Sequence, residues 1–217
     1  ALEELDGDPT LGAAVLTGTG GHFCSGMDLK GFAQGERPYV EHHGYGGLSE
    51  RGPRKPLIAA VEGYALAGGF EMALCCDLIV ASSTARFGLP EVKRGLVAAA
   101  GGVMRLPQRI PHHVAMEMVL TGDTIDAERA AQLGLVNAVV APGQALEAAC
   151  ALATRILANS PLAVAASKRV VQESRTWPAA EMFERQRAFV DPVLASEDAR
   201  EGALAFAQKR APRWTGR

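Results

Sequence analysis

Residues Leu57-Ile-Ala-Ala-Val-Glu-Gly-Tyr-Ala-Leu-Ala-Gly-Gly-Phe-Glu-Met-Ala-Leu-Cys-Cys-Asp-Leu-Ile-Val-Ala81 decide the fold class. Leu57–Val61 is an unbroken apolar run, the pattern of a strand buried on both faces. Residues 63–69 carry Gly63, Gly68 and Gly69 and read as a turn. Residues 69–76 read as a helix and 77–81 as a second buried strand. Strand, glycine turn, helix and strand in that order predict an α/β unit with parallel pairing.

The pattern extends in both directions. Upstream, 12–17 is another apolar run, broken by Gly18-Thr-Gly-Gly21; 28–32 makes one helical turn, and 35–56 is a long loop rich in Gly, Pro, His and charge. Downstream, 85–88 is a short strand. Helices are predicted at His112–Thr121, at 127–133 (capped by Asp126, stopped by Gly134), and at 143–158, 161–174, 179–189 and 197–210, with an extended piece at 135–140. The expectation is an α/β core over 1–140 and a helical region over 141–217. Leu2 and Leu5 read as the end of a helix before an Asp8-Pro9 turn, so the chain is expected to begin partway through an element.

Composition removes several function classes. The 217 residues are 48% hydrophobic and 21% charged, which argues against disorder. Lys+Arg (22) and Asp+Glu (24) leave a net charge of −2, so no global field draws nucleic acid or anionic lipid. No apolar run approaches the roughly 20 residues of a spanning helix, and no membrane partner is expected. An anionic ligand must therefore be held by local dipoles and single cations. Cys24, Cys75, Cys76 and Cys150 contain no Cys-x-x-Cys, and the adjacent pair is ill-placed for one tetrahedral metal. With no secretory signal, reduced thiols in a cytoplasmic protein are expected, and no metal site.

Two glycine turns carry the chemistry. Gly18-Thr-Gly-Gly-His-Phe-Cys-Ser-Gly26 fails as a dinucleotide fingerprint because Phe23 stands at the third glycine position. It fails as a nucleophile elbow because Phe23 also precedes Cys24-Ser25 where Gly-x-Ser-x-Gly needs glycine. It reads either as a tight turn only or as a strand end whose N–H groups face a ligand. Gly68 and Gly69 open a helix, whose N-terminus offers free N–H groups and a positive dipole end to an oxyanion or phosphate. Glu71 sits in that first turn among Phe70, Met72, Ala73 and Leu74, and burial there raises a carboxyl's pKa. Phe87-Gly-Leu-Pro-Glu91 supplies a second carboxyl, free for proton transfer or paired on the surface with Lys93 or Arg94.

These motifs resemble the crotonase superfamily, the enoyl-CoA hydratase/isomerase family. The matching text is Val15-Leu-Thr-Gly, Phe23-Cys-Ser-Gly-Met-Asp-Leu29, Ala60-Val-Glu-Gly-Tyr-Ala-Leu-Ala-Gly-Gly-Phe-Glu71, Cys76-Asp-Leu-Ile-Val-Ala81, Phe87-Gly-Leu-Pro-Glu91, Leu120-Thr-Gly122 and Ala130-Ala-Gln-Leu-Gly-Leu-Val-Asn137, with the tail around Glu201-Gly and Phe206-Ala-Gln-Lys-Arg. The stretch Pro90-Glu-Val-Lys-Arg-Gly-Leu-Val97 looks most like the hydratase and carnitinyl-CoA-dehydratase branch.

The resemblance implies a spiral of β-β-α units with a helical C-terminal region that covers the site and forms oligomers, homotrimers or hexamers built as dimers of trimers. It implies an acyl-CoA thioester substrate, with CoA as part of the substrate and no separate cofactor. By the resemblance Glu71 and Glu91 are catalytic, the N–H groups of Met27 and Gly68 form an oxyanion hole, and Ser25, Asp28, Leu29 and Gly69 contact substrate. It implies hydration of a 2-enoyl-CoA, with Δ3,Δ2-enoyl-CoA isomerase, carnitinyl-CoA dehydratase or a non-catalytic acyl-CoA-binding protein as alternatives. In this reading Glu71 is the base and Glu91 the proton donor. Lys209 resembles a position that reaches a neighbouring subunit's CoA, with a solvated lysine as the bland alternative. Ala98-Ala99 replaces the Pro-Gly pair of many hydratases. Relatives carry more residues upstream, so the core is expected to lack its first strands.

Overall fold

Every residue of Leu57–Val61 is buried, and the four from Ile58 to Val61 have no exposed surface at all. A computed structural model describes all residues, Ala1–Arg217. In chain order the elements are α1 (Leu2–Gly7), β1 (Ala14–Thr17), α2 (Leu29–Ala33), β2 (Tyr39–Val40), β3 (Gly44–Tyr45), β4 (Leu57–Val61), β5 (Tyr64–Leu66), α3 (Gly68–Cys75), β6 (Leu78–Ser82) and β7 (Arg86–Gly88). They continue with α4 (Gly102–Arg105), α5 (His112–Thr121), β8 (Thr124–Asp126), α6 (Ala127–Gln132), β9 (Ala138–Val140), α7 (Ala145–Leu157), α8 (Pro161–Glu173), α9 (Met182–Leu194) and α10 (Glu197–Ala207). No single helix is long and apolar enough to cross a membrane.

The chain forms two compact units. One comprises Val15–Gly52 and Leu57–Leu152. Its four-stranded sheet has the order β1-β4-β6-β9, and its three-stranded sheet the order β5-β7-β8. β4 pairs with β6, and β6 with β9, in parallel; β5 also pairs in parallel with β7. Consecutive strands therefore alternate between the sheets: β4 then β5, β6 then β7. This is the spiral of β-β-α units, and each step turns a corner between sheets.

Polar residues ahead of the buried strands set the parallel register. The Asp77 carboxylate accepts from Leu57 N at 2.8 Å while Asp77 N donates to Leu57 O. Asn137 repeats the device one strand along: its Oδ1 accepts from Ile79 N and its N donates to Ile79 O. Each side chain satisfies a strand-end amide that burial would otherwise orphan.

Phe23 N donates to Glu62 O, Cys24 N to Tyr64 O and Leu66 N to Cys24 O. The Phe23–Cys24 segment thus runs alongside β5, with a parallel bridge from Cys24 to Ala65. The approach is so close that a side chain on Gly69 would overlap the Cys24 carbonyl. On the far side of α3 the Phe70 ring packs on Phe87 of β7 at 5.5 Å, both fully buried. Those contacts fix α3 between the two glycine turns and the segment that follows β7.

The second unit comprises Ala1–Ala14, Pro53–Pro56 and Ala153–Arg217. Asp198 is 2% exposed and accepts from Ser160 Oγ, Thr215 N and Gly216 N, which pins the C-terminal tail to the start of α10 and the cap of α8. Lys55 Nζ donates to the Leu5 and Asp8 carbonyls, and Lys168 Nζ to the Lys55 carbonyl.

Three sequence expectations need correction. The long loop 35–56 contains the antiparallel hairpin β2–β3, with Tyr39 opposite Tyr45. The turn 63–69 contains strand β5, and β8 lies immediately before α6, antiparallel to β7. These strands are two or three residues long, too short to display a period. The third long C-terminal helix begins at Met182 and runs through Pro192 to Leu194.

The seam at Gly69 is testable by one methyl group. Gly69→Ala is expected to cost about 1–3 kcal/mol by overpacking, or about 2–4 °C in melting temperature per kcal/mol. Gly52→Ala, which meets nothing within 4 Å, should stay within about 0.5 kcal/mol of the parent by urea unfolding.

Candidate active site

A cavity of about 470 Å³ lies in the first unit, walled by both glycine turns, both predicted glutamates and an apolar rim. Its lining includes Ser25, Met27, Leu29, Gly68, Glu71 and Glu91.

The two turns meet directly. Gly26 has φ +101°, and a Cβ built there would stand 2.8 Å from Ala67 Cβ and 3.4 Å from Gly68 N. Ala67 itself has φ +51°, a costly conformation for a residue with a side chain. It is held by α3 on one side and by the bond from its N–H to Gly88 O on the other. Gly68 is the first residue of α3, so its N–H has no carbonyl one turn back. That amide and Met27 are therefore brought to one wall, at the positive end of a helix dipole.

Glu71 is 3% exposed and projects from the first turn of α3. Its Oε1 accepts from Gly102 N at 2.7 Å. A Cβ on Gly102 would come within 3.0 Å of that carboxyl, so glycine is what lets the amide reach it. Burial raises the Glu71 pKa; the Gly102 and Ala100 amides and the Arg105 charge pull the other way. Arg105 is braced by donating to the Ala100 and Ser49 carbonyls.

Glu91 stands on the 3-10 helix Pro90–Arg94, directly after β7 and Leu89. Its Oε2 is buried with no hydrogen-bond partner. Burial pushes its pKa up to about 7; the negative charge of Glu71 adds to this, while its own backbone amide and Arg94 oppose it. The surface ion-pair alternative fails: Lys93 pairs with Asp123 at 2.6 Å, and Arg94 touches only the Pro90 carbonyl, at 3.4 Å. Two carboxyls with unlike environments thus share one cavity.

Two predicted contact residues lie elsewhere. Asp28 does not line the cavity; its Oδ1 accepts from Lys30 N at 2.8 Å and caps α2. A carboxylate ahead of a helix start is the ordinary capping pattern, and here capping is what it does. Gly69 faces the Cys24 carbonyl behind the turn, so its small size serves packing.

The cavity also holds residues that the sequence left unassigned. Tyr39 and Tyr45 meet edge to face at 5.8 Å across the β2–β3 hairpin. The Tyr45 ring lies against Gly68, and burial pushes its hydroxyl up to about 12, so it stays protonated. Arg37 lies 4.1 Å above the Phe32 ring and donates to the Phe32 and Glu36 carbonyls. Arg94, Leu96, Val97 and Ala99 complete the wall after Glu91. Only the Pro38-Tyr39 step inside a glycine-rich stretch hinted at the hairpin.

The profile of the enoyl-CoA hydratase/isomerase family matches residues 1–217, the whole chain. The chain belongs to this family. A carnitinyl-CoA dehydratase of Proteus mirabilis (strain HI4320) is 43% identical over 97% of the chain and 84% of that protein. The crystal structure of enoyl-CoA hydratase EchA1 from Mycobacterium marinum superposes with a TM-score of 0.97 at 59% identity, over 100% of the chain and 85% of that structure. The carnitinyl-CoA hydratase structure from Mycobacterium avium is 49% identical, with a TM-score of 0.76 and coverage of 100% and 85%. Membership makes this an enzyme of the hydratase and dehydratase type, acting on acyl-CoA.

Glu91 gives a pH test that does not require substrate. Its carboxyl holds a proton to about pH 7 when folded, against 4.5 for an ordinary glutamate. Between those values the folded chain binds more protons, so the group's stabilising contribution is complete below the lower value and lost as pH rises through the upper one. Glu91→Gln removes the titration. By urea unfolding across pH, the variant is expected to gain on the parent from about pH 5 to 8, by about 1–2 kcal/mol given water access through the cavity. A difference independent of pH contradicts the raised pKa.

Proposed function

We infer that this family member is a 2-enoyl-CoA hydratase, adding water reversibly across the C2=C3 bond to give a 3-hydroxyacyl-CoA. The observation that carries the reading is the pair Glu71 and Glu91, both with raised pKa, in one cavity with two backbone turns. Isomerisation can proceed with one carboxyl, whereas water addition uses two.

In the proposed reaction the Met27 and Gly68 N–H groups bind the thioester oxygen. Glu71, whose charged form is favoured by the Gly102 amide, takes a proton from water as its oxygen bonds to C3. The π pair of C2=C3 moves toward the thioester, and the enolate oxygen carries the negative charge. Losing one of the two donors would cost on the order of 3 kcal/mol. The enolate returns its pair to C2, which takes the proton from Glu91. Glu91 is the better donor because its Oε2 lacks a partner and its pKa lies near 7. One H and one OH have been added, and the proton left on Glu71 resets Glu91. The sequence is redox-neutral and its proton transfers fall to carboxyls, so it calls for no metal and no cofactor.

A second reading, carnitinyl-CoA dehydratase, is favoured by the names of the 43–45% identical relatives. It is the same chemistry run toward loss of water. Either enzyme is proposed to work in the cytoplasm as a homotrimer or a hexamer. Exposed Phe183, Leu194, Leu204 and Phe206 on α9 and α10 support burial against other copies.

Glu71→Gln and Glu91→Gln are each expected to lower kcat for crotonyl-CoA by about 10²–10⁴-fold while changing CoA-ester affinity little. For the parent, kcat/KM for hydration should fall above about pH 7 as Glu91 loses its proton, and Glu91→Gln should lack that limb. Parent-like hydration by both variants overturns the reading.

A further inference from the structure

The wall of the cavity beyond Glu91 has a charge that the hydration chemistry does not use. Glu91 and Arg94 lie three residues apart on the 3-10 helix Pro90–Arg94. Side chains at that spacing in a 3-10 helix eclipse one another, about 6 Å apart along the axis. Both line the cavity. Arg94 holds no carboxylate partner, and its single bond is the long one to Pro90 O.

The carboxyls and most aromatic rings of the lining lie on the near side of Arg94 or are already engaged. Its carboxyls are Glu71 and Glu91 alone, and Glu91 is the one that keeps its proton near neutrality. The Phe32 ring is already covered by the Arg37 guanidinium, and Tyr39 and Tyr45 pack edge to face on each other. Past Arg94 the wall is Leu96, Val97 and Ala99. A trimethylammonium group on C4 would meet the like charge of the Arg94 guanidinium. A carboxylate in the same place would meet an unpaired guanidinium able to donate two hydrogen bonds.

We propose that Arg94 selects the acyl group by charge, and that the substrate class is short 2-enoyl-CoA thioesters carrying a carboxylate one carbon beyond C3. This rests on the hydratase reading, which puts C3 between Glu71 and Glu91. The guanidinium one helical turn further along then faces the atoms attached to C4. The phosphates of CoA are the other anion a free arginine can take, and the test separates the two.

Three substrates differ only in what C4 carries: crotonyl-CoA (hydrogen), glutaconyl-CoA (carboxylate) and crotonobetainyl-CoA (trimethylammonium). The parent is expected to hydrate glutaconyl-CoA with the highest kcat/KM and crotonobetainyl-CoA with the lowest. The deciding readout is the ratio of kcat/KM for glutaconyl-CoA to that for crotonyl-CoA. Arg94→Leu should cut this ratio about 10- to 100-fold, the range of a charge-assisted hydrogen bond, and Arg94→Lys should retain most of it. A ratio unchanged by Arg94→Leu, with both substrates losing equally, assigns Arg94 to CoA and overturns the proposal. So does a parent that prefers crotonobetainyl-CoA. No turnover of any of the three by the parent overturns the hydratase reading itself, and this proposal with it.

Discussion

The hydrogen bonds that lay Phe23 and Cys24 along β5 are the constraint on which the site depends. They bring two turns far apart in sequence into contact, Gly26 against Ala67 and Gly69 against the Cys24 carbonyl. With side chains at Gly26 and Gly69 the two turns could not approach this closely, and both Met27 and Gly68 line the cavity beside that contact. The strained φ of Ala67 is tolerated because α3 and β7 hold it from both sides. The spiral makes this possible: by alternating between sheets, the chain leaves β4, forms β5 beside the Phe23–Cys24 segment and enters α3 directly from it.

The electrostatics follow from that frame. A chain of net charge −2 exerts no overall attraction on an anion, so any pull on one has to come from local groups such as a helix N-terminus or a single guanidinium. Glu71 and Glu91 differ in what surrounds them. The first is buried but receives the Gly102 amide; the second has a buried oxygen with no partner. Burial raises the pKa of both, but at Glu71 the Gly102 and Ala100 amides and Arg105 oppose the rise, whereas at Glu91 the charge of Glu71 adds to it, a difference that two exposed carboxyls would not have.

The sequence resolved the parts of the fold whose patterns are long or punctuated. β4, α3 and β6 fall where the apolar runs and glycines put them, and Asp126 caps α6 as expected. The β2–β3 hairpin was hidden because two-residue strands have no alternation to read. With it went Tyr39 and Tyr45, and Arg37 just before them. Glu71 was legible as a carboxyl stranded in apolar company, and Glu91 through the motif that follows β7. Asp28 and Gly69 were assigned to substrate because they sit inside matching motifs, yet one caps a helix and the other makes room for a backbone. A motif marks what is retained around a site without saying which atoms face the ligand.

The central claim is that this cavity adds water across an enoyl thioester. The most direct measurement is incubation of the unaltered chain with crotonyl-CoA in water enriched in heavy oxygen, followed by mass spectrometry of the CoA products. The account predicts a 3-hydroxyacyl-CoA carrying one heavy oxygen, formed at a rate that depends on enzyme. Recovery of crotonyl-CoA alone, or of a positional isomer that has gained no oxygen, would contradict it.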